Sequence, residues 1–80
     1  MKYDKNKIDE MALALMHLTT FKDEFGVRAW KSIDWEALDR LHEKGFISNP
    51  KSKSKSVCLT EKGAKLSEKL FKKYFVLSSD

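Results

Sequence analysis

Apolar residues recur near the start of the chain at the spacing of one helical face. They occupy positions 8, 11, 12, 15, 16 and 18. This period predicts a helix that starts at Ile8 and ends at the β-branched pair Thr19 and Thr20, after a flexible arm over residues 1–7. Because apolar residues cover so much of its circumference, we expect this helix to lie at the centre of the domain or to be shared in part with a second subunit.

Two further helical patterns follow in the middle of the chain. Asp23 is placed to cap a short helix with the sequence EFGVRAWK, and Asp34 is placed to cap a clearer one, WEALDRLHEK. Gly45 stands where a glycine commonly ends a helix. Two helices joined by so short a turn predict a helix-turn-helix over residues 24–44.

After Gly45 the pattern changes from helical to alternating. The short apolar runs FIS and SVCL are separated by a polar stretch that begins with Asn and Pro. Together they predict a β-hairpin over residues 46–59 with a long polar tip. The period of two places Cys58 on the face opposite Val57 and Leu59.

Thr60 is placed to cap a last helix over residues 60–77. Gly63 in its first turn predicts the close approach of another element, because an exposed glycine there would cost about 1 kcal/mol against alanine. Apolar residues surround most of this helix, more than a monomer of 80 residues readily covers. We therefore expect a homodimer formed through the terminal helices. The residues assigned to its interface are Leu70, Phe71, Tyr74, Phe75 and Leu77.

Composition is typical of one small, helix-rich domain. The 80 residues are 41% hydrophobic and 35% charged, with three Gly and one Pro, which excludes a disordered chain. Residues 1–44 carry eight Lys/Arg and nine Asp/Glu, a net charge of −1, whereas residues 45–80 carry eight against three, a net charge of +5. The positive half indicates either a polyanionic partner or a solvated basic face.

The positive charge is densest in the alternating stretch KSKSKS. Lys51, Lys53 and Lys55 lie at period two, so an extended backbone would project all three to one side, roughly 6.6 Å apart. Such a row is suited to follow a phosphate backbone. The alternative is a solvated loop whose lysines prevent edge-to-edge aggregation.

No group of residues predicts catalysis or metal binding. The lone Cys58 excludes an internal disulfide and fits a reducing cytoplasm, where we expect the protein. His17 and His42 lack the paired spacing of zinc ligands, and nothing in the spacing brings either to the cysteine. The apolar run over residues 11–16 is too short for a membrane span. We therefore predict a non-enzymatic protein with no cofactor and no membrane segment.

Trp30 and Trp35 flank the turn KSID and allow two interpretations. In a small domain, tryptophans near a helix junction usually form the core, and Trp35 is in register with Leu38 and Leu41. In proteins that bind single strands, exposed aromatic residues among lysines stack on bases. The core interpretation is the favoured one.

The predicted order of elements is that of a winged helix-turn-helix, and two motifs carry the match. LDRLHEKGFI, residues 38–47, and VCLTEKG, residues 57–63, resemble the signature of winged-helix regulators of the multiple-antibiotic-resistance and phenolic-acid-repressor type. The resemblance implies one mainly α domain over residues 1–80 with a small β-hairpin, in which residues 34–44 are the recognition helix and residues 49–56 the wing. The whole chain is also similar to a family of short bacterial proteins described only as a domain of unknown function.

The resemblance implies a small transcriptional regulator whose wing contacts the phosphates of double-stranded DNA. The helix at the recognition position, however, carries four carboxylates against Arg40 and Lys44, and carboxylates are unfavourable near phosphates. The alternative is a winged-helix module that binds a protein partner and no nucleic acid. The residues expected to contact nucleic acid are Lys51, Lys53, Lys55, Arg28, Lys31 and Arg40.

Overall fold

A computed structural model of the protein describes residues 1–24 and 26–77 and contains three α-helices and a three-stranded antiparallel sheet. The fold is therefore mixed α/β, with more strand than the predicted mainly α fold with one hairpin. In chain order the elements are α1 (Lys5–Met16), a 3-10 turn (His17–Thr19), β1 (Phe21–Asp23), β2 (Gly26–Trp30), α2 (Trp35–Glu43), β3 (Ser56–Cys58) and α3 (Glu61–Phe75).

Helix α1 begins earlier than its apolar pattern predicts. Its first residue is Lys5, because the side chain of Asp4 accepts a hydrogen bond from the Lys7 N–H at 3.1 Å and caps the first turn. The predicted flexible arm is correspondingly shorter. Farther along, the Ser67 hydroxyl of α3 donates to the buried Leu13 carbonyl at 2.6 Å. This bond joins the first and last helices through the core.

Within the segment predicted to be the first helix of a helix-turn-helix, residues 26–30 form strand β2, and Phe25 lies outside the described residues. In the β1–β2 hairpin, Phe21 lies opposite Arg28 and Asp23 lies opposite Gly26. Gly26 has a φ of +121°, which glycine adopts readily and an α-helix does not contain. Strand β2 also pairs with β3, so ladder hydrogen bonds on both edges replace those of a helix. The prediction of a helix-turn-helix over residues 24–44 is therefore wrong, since a strand precedes α2.

Helix α2 occupies most of its predicted range. Asp34 is its N-cap by position, but within the described residues its side chain makes no capping hydrogen bond. Gly45 ends the helix with a φ of +81°. Its N–H bonds to the His42 carbonyl and the Phe46 N–H bonds to the Leu41 carbonyl, each at 3.0 Å. This pair of bonds satisfies the last carbonyls of the helix and confirms the predicted glycine cap.

The predicted hairpin over residues 46–59 is present only in part. Strand β3 pairs with β2, where Ala29 lies opposite Val57. The chain before the loop contributes a single bridge, Ile47 with Leu59. Because β2 is a strand rather than a helix, it offers β3 an edge that the sequence pattern does not reveal.

Helix α3 starts as predicted. The Thr60 hydroxyl accepts a hydrogen bond from the Gly63 N–H at 2.9 Å. A Cβ atom on Gly63 would overlap the carbonyl oxygen of Phe46, which confirms that the glycine permits a close approach. The helix ends at Phe75, two residues before its predicted end. The core beneath the helices contains Leu13, Met16, Leu38, Leu41, Ile47, Val57 and Leu70.

Candidate nucleic-acid interface

The loop over residues 49–56 folds back onto the chain that leaves β2. The Lys31 N–H donates to the Lys55 carbonyl at 3.0 Å. The Lys31 ammonium donates to the Ser52 carbonyl at 2.8 Å and lies 3.3 Å from the Ser52 hydroxyl. Lys31 therefore holds the loop at two points, Ser52 and Lys55, and its ammonium group lies against the loop backbone.

The backbone of this loop turns and bends between positions 50 and 55, so the row of lysines expected from an extended strand is not formed. The side-chain oxygen of Asn49 accepts a hydrogen bond from the Lys51 N–H at 2.9 Å and starts the turn. Pro50 is buried beneath it. Lys51, Lys53 and Lys55 are all exposed. The loop thus keeps its charges in water and fixes them by turn geometry.

Both tryptophans are exposed, which makes the core interpretation wrong. Trp30 and Trp35 expose 49% and 58% of their surface. Ala29 is fully buried, so the alternation of β2 turns Trp30 outward, where its ring lies 5.3 Å from that of Phe21. Trp35 opens α2 one turn ahead of the buried Leu38. Trp35 shares a helical face with Leu38, but the first turn of α2 extends beyond the elements that cover this face.

The two tryptophans and the loop enclose a shallow cleft of about 470 Å³. We call it the tryptophan–lysine cleft; its walls are Trp30, Trp35, Lys31, Lys53 and Lys55, together with serines of the loop and the turn. The Lys31 ammonium lies 6.0 Å from the centre of the Trp35 ring, within reach of a cation–π contact. Within the described part of the chain, the lining holds three lysines and no carboxylate. The cleft is both aromatic and positive.

Arg28 is engaged inside the chain. Its half-buried guanidinium donates from Nε to Ser56 Oγ at 2.8 Å, from Nη1 to Cys58 Sγ at 2.8 Å and from Nη2 to Ser54 Oγ at 3.2 Å. The Asp23 carboxylate lies 3.8 Å from Nε. The structure therefore places Arg28 between β2, β3 and the base of the loop, where it positions the loop and lies outside the cleft lining.

Arg40 is also engaged, with a buried carboxylate. Asp9 is 2% exposed, and Arg40 Nε lies 2.9 Å from both of its oxygens. Lys44 Nζ lies 2.9 Å from Asp9 Oδ2. Burial alone would raise the pKa of Asp9, but the hydrogen bonds from Arg40 and Lys44 outweigh it, so the pKa is below its ordinary value. The hydrogen bond to Asp9 likewise raises the pKa of Arg40.

The Asp9 site was missed by sequence reasoning, although the sequence contains a signal for it. Asp9 interrupts the apolar face of α1, and Arg40 on α2 and Lys44 at its C-terminal cap are four residues apart in the sequence. Because both cations of α2 are bound to Asp9, the outer face of that helix is dominated by carboxylates such as Glu36, whose side chain is 72% exposed. The helix at the recognition position is therefore poorly suited to approach phosphates.

The residues predicted to form a dimer interface divide into three environments. Leu70 belongs to the chain's own core, so it is not available to a second subunit. Phe71 and Tyr74 are half-buried where α3 contacts α1 and the turn that follows it. Phe75 and Leu77 are exposed at 42% and 73%. The exposed part of the predicted interface is thus the last residue of α3 and Leu77, which follows the helix.

These features define a small mixed α/β domain with an exposed aromatic and positive cleft. The chain belongs to the family described as "Domain of unknown function (DUF6429)", whose family model matches residues 4–77. It is 47% identical over 75 residues to an uncharacterised protein, y4hR, of Sinorhizobium fredii (strain NBRC 101917 / NGR234); the match covers 94% of this chain and 97% of the relative. No solved structure matches the chain. Across residues 1–24 and 26–77, no helix is long and apolar enough to cross a membrane.

Proposed function

We propose that this protein binds nucleic acid, without catalysing a reaction, through the tryptophan–lysine cleft. One observation carries the proposal: two exposed indole rings border the same cleft as three lysines. Lysines offset the charge of phosphates, and exposed aromatic rings provide stacking surfaces for bases. A protein surface that combines both groups in one cleft matches the two chemical components of a nucleotide chain.

The proposal keeps the wing of the winged-helix resemblance and leaves out its helix-turn-helix. The loop over residues 49–56 takes the place of the wing, with Lys53 and Lys55 beside the cleft and Lys51 extending the positive charge at the tip. Helix α2 has no part in reading bases, since Arg40 and Lys44 are bound to Asp9. A transcriptional regulator that used this surface would hold DNA chiefly by its backbone, which gives affinity without sequence information.

Fluorescence anisotropy with labelled DNA, single-stranded and duplex, tests the proposal at low and at physiological salt. The double variant Lys53→Glu/Lys55→Glu removes two cations of the cleft. If both lysines contact phosphates, their loss makes the slope of log affinity against log salt less negative, by about 1.4 for a single strand or about 1.8 for a duplex. The matched control is Lys65→Glu/Lys69→Glu, which makes the same charge change at exposed positions on α3.

Two results would contradict the proposal. One is a wild-type protein that binds neither form of DNA at low salt. The other is an equal loss of affinity in the loop variant and in the α3 control, which would show that binding follows net charge and not the cleft. Retained affinity in the control and a flattened salt dependence in the loop variant are the expected outcome.

A protein contact is a second function that a separate observation favours. Leu15 and Leu18 are exposed on α1 and its 3-10 turn, and Phe75 and Leu77 are exposed at the end of α3. We propose that the end of α3 forms a homodimer contact. Sedimentation at micromolar concentration should give a dimer mass for the wild type and a monomer mass for Phe75→Asp/Leu77→Asp, with Lys72→Asp as the control. A monomeric wild type would contradict this proposal.

A further inference from the structure

We infer that the nucleic acid held in the tryptophan–lysine cleft is single-stranded, with unpaired bases stacked on Trp30 and Trp35. The inference rests on the proposed function and narrows its ligand to one class. It comes from the accessibility of the two indole rings, from the cations beside them and from the acidic surface that adjoins them.

The first step concerns what an exposed indole can bind. In a duplex, each base is covered on both faces by its neighbours, so its flat surface is not available to a side chain. An unpaired base has a free face, and stacking on aromatic rings is the usual way in which proteins hold such bases. Trp30 and Trp35 each leave about half of their surface in water. They are suited to a base that has left its stack.

The second step concerns how the two rings are held. Trp30 ends a paired strand and lies against Phe21, at 5.3 Å between ring centres. Trp35 opens a helix five residues after Trp30, the last residue of β2, and the Lys31 ammonium lies 6.0 Å from the centre of its ring. Because secondary structure fixes both positions, a strand can bind with little reordering of the protein.

The third step concerns charge. Lys31, Lys53 and Lys55 border the cleft, whereas Asp34 and Glu36, next to Trp35 in sequence, are exposed carboxylates. A duplex is wide and rigid, so it would bring phosphates towards the carboxylates as well as the lysines. A flexible single strand can follow the lysines alone, with its bases turned to the rings.

Titration with labelled oligo(dT), oligo(U) of equal length and a mixed-sequence duplex tests the inference. We expect tighter binding of the single strands, with quenching of tryptophan emission. Trp30→Leu and Trp35→Leu should each weaken single-strand binding by about 5- to 150-fold. Trp35→Phe keeps a stacking face and should retain most of the affinity, and Tyr3→Leu removes an exposed aromatic ring outside the cleft and should bind like wild type.

The outcomes separate this inference from the proposed function. If the duplex binds as tightly as the single strands, and the leucine variants bind like wild type while Lys53→Glu/Lys55→Glu binds weakly, the single-strand inference fails and nucleic-acid binding stands. If wild type binds none of the three probes at low salt, both fail and the cleft is left as a contact for another protein. Preference for either single strand over the duplex, with loss on Trp→Leu and most of the affinity retained in Trp35→Phe, supports the inference; the dT and U arms show whether a DNA or an RNA strand is bound more tightly.

Discussion

The buried carboxylate of Asp9 and the partly exposed guanidinium of Arg40 form an ion pair that joins α1 to α2, with Arg40 Nη2 2.8 Å from Asp9 Oδ1. Lys44, the residue at the C-terminal cap of α2, binds the other oxygen of the same carboxylate. This relationship explains how an acidic residue is tolerated on the apolar face of α1. It also explains why α2 presents few free cations to a ligand, since Arg40 and the capping Lys44 are both bound to Asp9.

Asp9→Ala should lower the free energy of unfolding. The loss should be smaller than the about 3–5 kcal/mol typical of a buried charge left unpaired, because Arg40 and Lys44 are partly exposed and can turn to water. Arg40→Ala should cost more than Lys44→Ala, since Arg40 bonds to both oxygens of Asp9. Urea denaturation followed by circular dichroism measures these differences. Glu36→Ala, which removes only an exposed partner of Arg40, is the control; an Asp9→Ala protein as stable as this control would contradict the prediction.

The same ion pair makes stability sensitive to acid. The pKa of Asp9 is lowered in the folded state, so the unfolded chain binds the proton more readily. The stabilisation is therefore fully present above the ordinary aspartate pKa of about 3.9 and is lost as the pH falls through the lower folded pKa. A hydrogen bond from Lys72 also lowers the pKa of Glu68, so Glu68 adds to the loss of stability in acid. Because Glu68 is present in both wild type and Asp9→Asn, a difference between the two proteins reports on Asp9. Urea midpoints measured from neutral pH to below about pH 3 should fall more steeply for wild type than for Asp9→Asn; parallel curves would count against the pair.

Local signals predicted the C-terminal cap of α2 and the N-terminal cap of α3, but not the start of α1 or the end of α3. The Gly45 cap of α2, the Thr60 cap of α3 and the close approach at Gly63 depend on a few neighbouring residues, and each is as predicted. Strand β2 was mispredicted because a short apolar run fits either a helix or a strand. Pairing on both edges favours the strand, since Arg28 lies opposite Phe21 in β1 and opposite Cys58 in β3, 30 residues later in the chain. Such long-range pairing leaves no local trace.

The candidate site was predicted less completely than the fold. The loop lysines are exposed as a polar, charged stretch indicates. The core interpretation of Trp30 and Trp35 depends on their position near a predicted helix junction and on the register of Trp35 with Leu38 and Leu41, yet both lie at the edge where β2 ends and α2 begins. Arg28 was expected to bind phosphates, whereas its partners lie in β3 and the loop. Periodicity gives the face of a residue, but not whether another element covers that face.

Gly63→Ala separates helix propensity from packing. Alanine favours a helix by about 1 kcal/mol over glycine, so propensity alone predicts a more stable protein. At this position, however, the added Cβ would overlap the Phe46 carbonyl oxygen, and overpacking costs about 1–3 kcal/mol or more. We therefore expect a lower melting temperature. Gly45→Ala is the matched control, because the added Cβ meets no atom within 4 Å. Its cost is a backbone cost of about 1–2 kcal/mol, since the alanine must adopt a φ of +81°. A gain in stability for Gly63→Ala would show that α3 can move away from Phe46.

Arg28→Lys tests whether the cleft depends on the position of its loop. Lysine keeps the charge but lacks the planar fork that bonds Ser54, Ser56 and Cys58 at once. We expect faster amide hydrogen exchange at Ser56, whose N–H bonds to Ser54 Oγ at 3.3 Å, and weaker oligonucleotide binding although net charge is unchanged. Lys22→Arg, an exchange of cations at an exposed position on β1, is the control for net charge and should bind like wild type. Unchanged exchange and affinity in Arg28→Lys would mean that the loop holds its lysines in place through Lys31 alone.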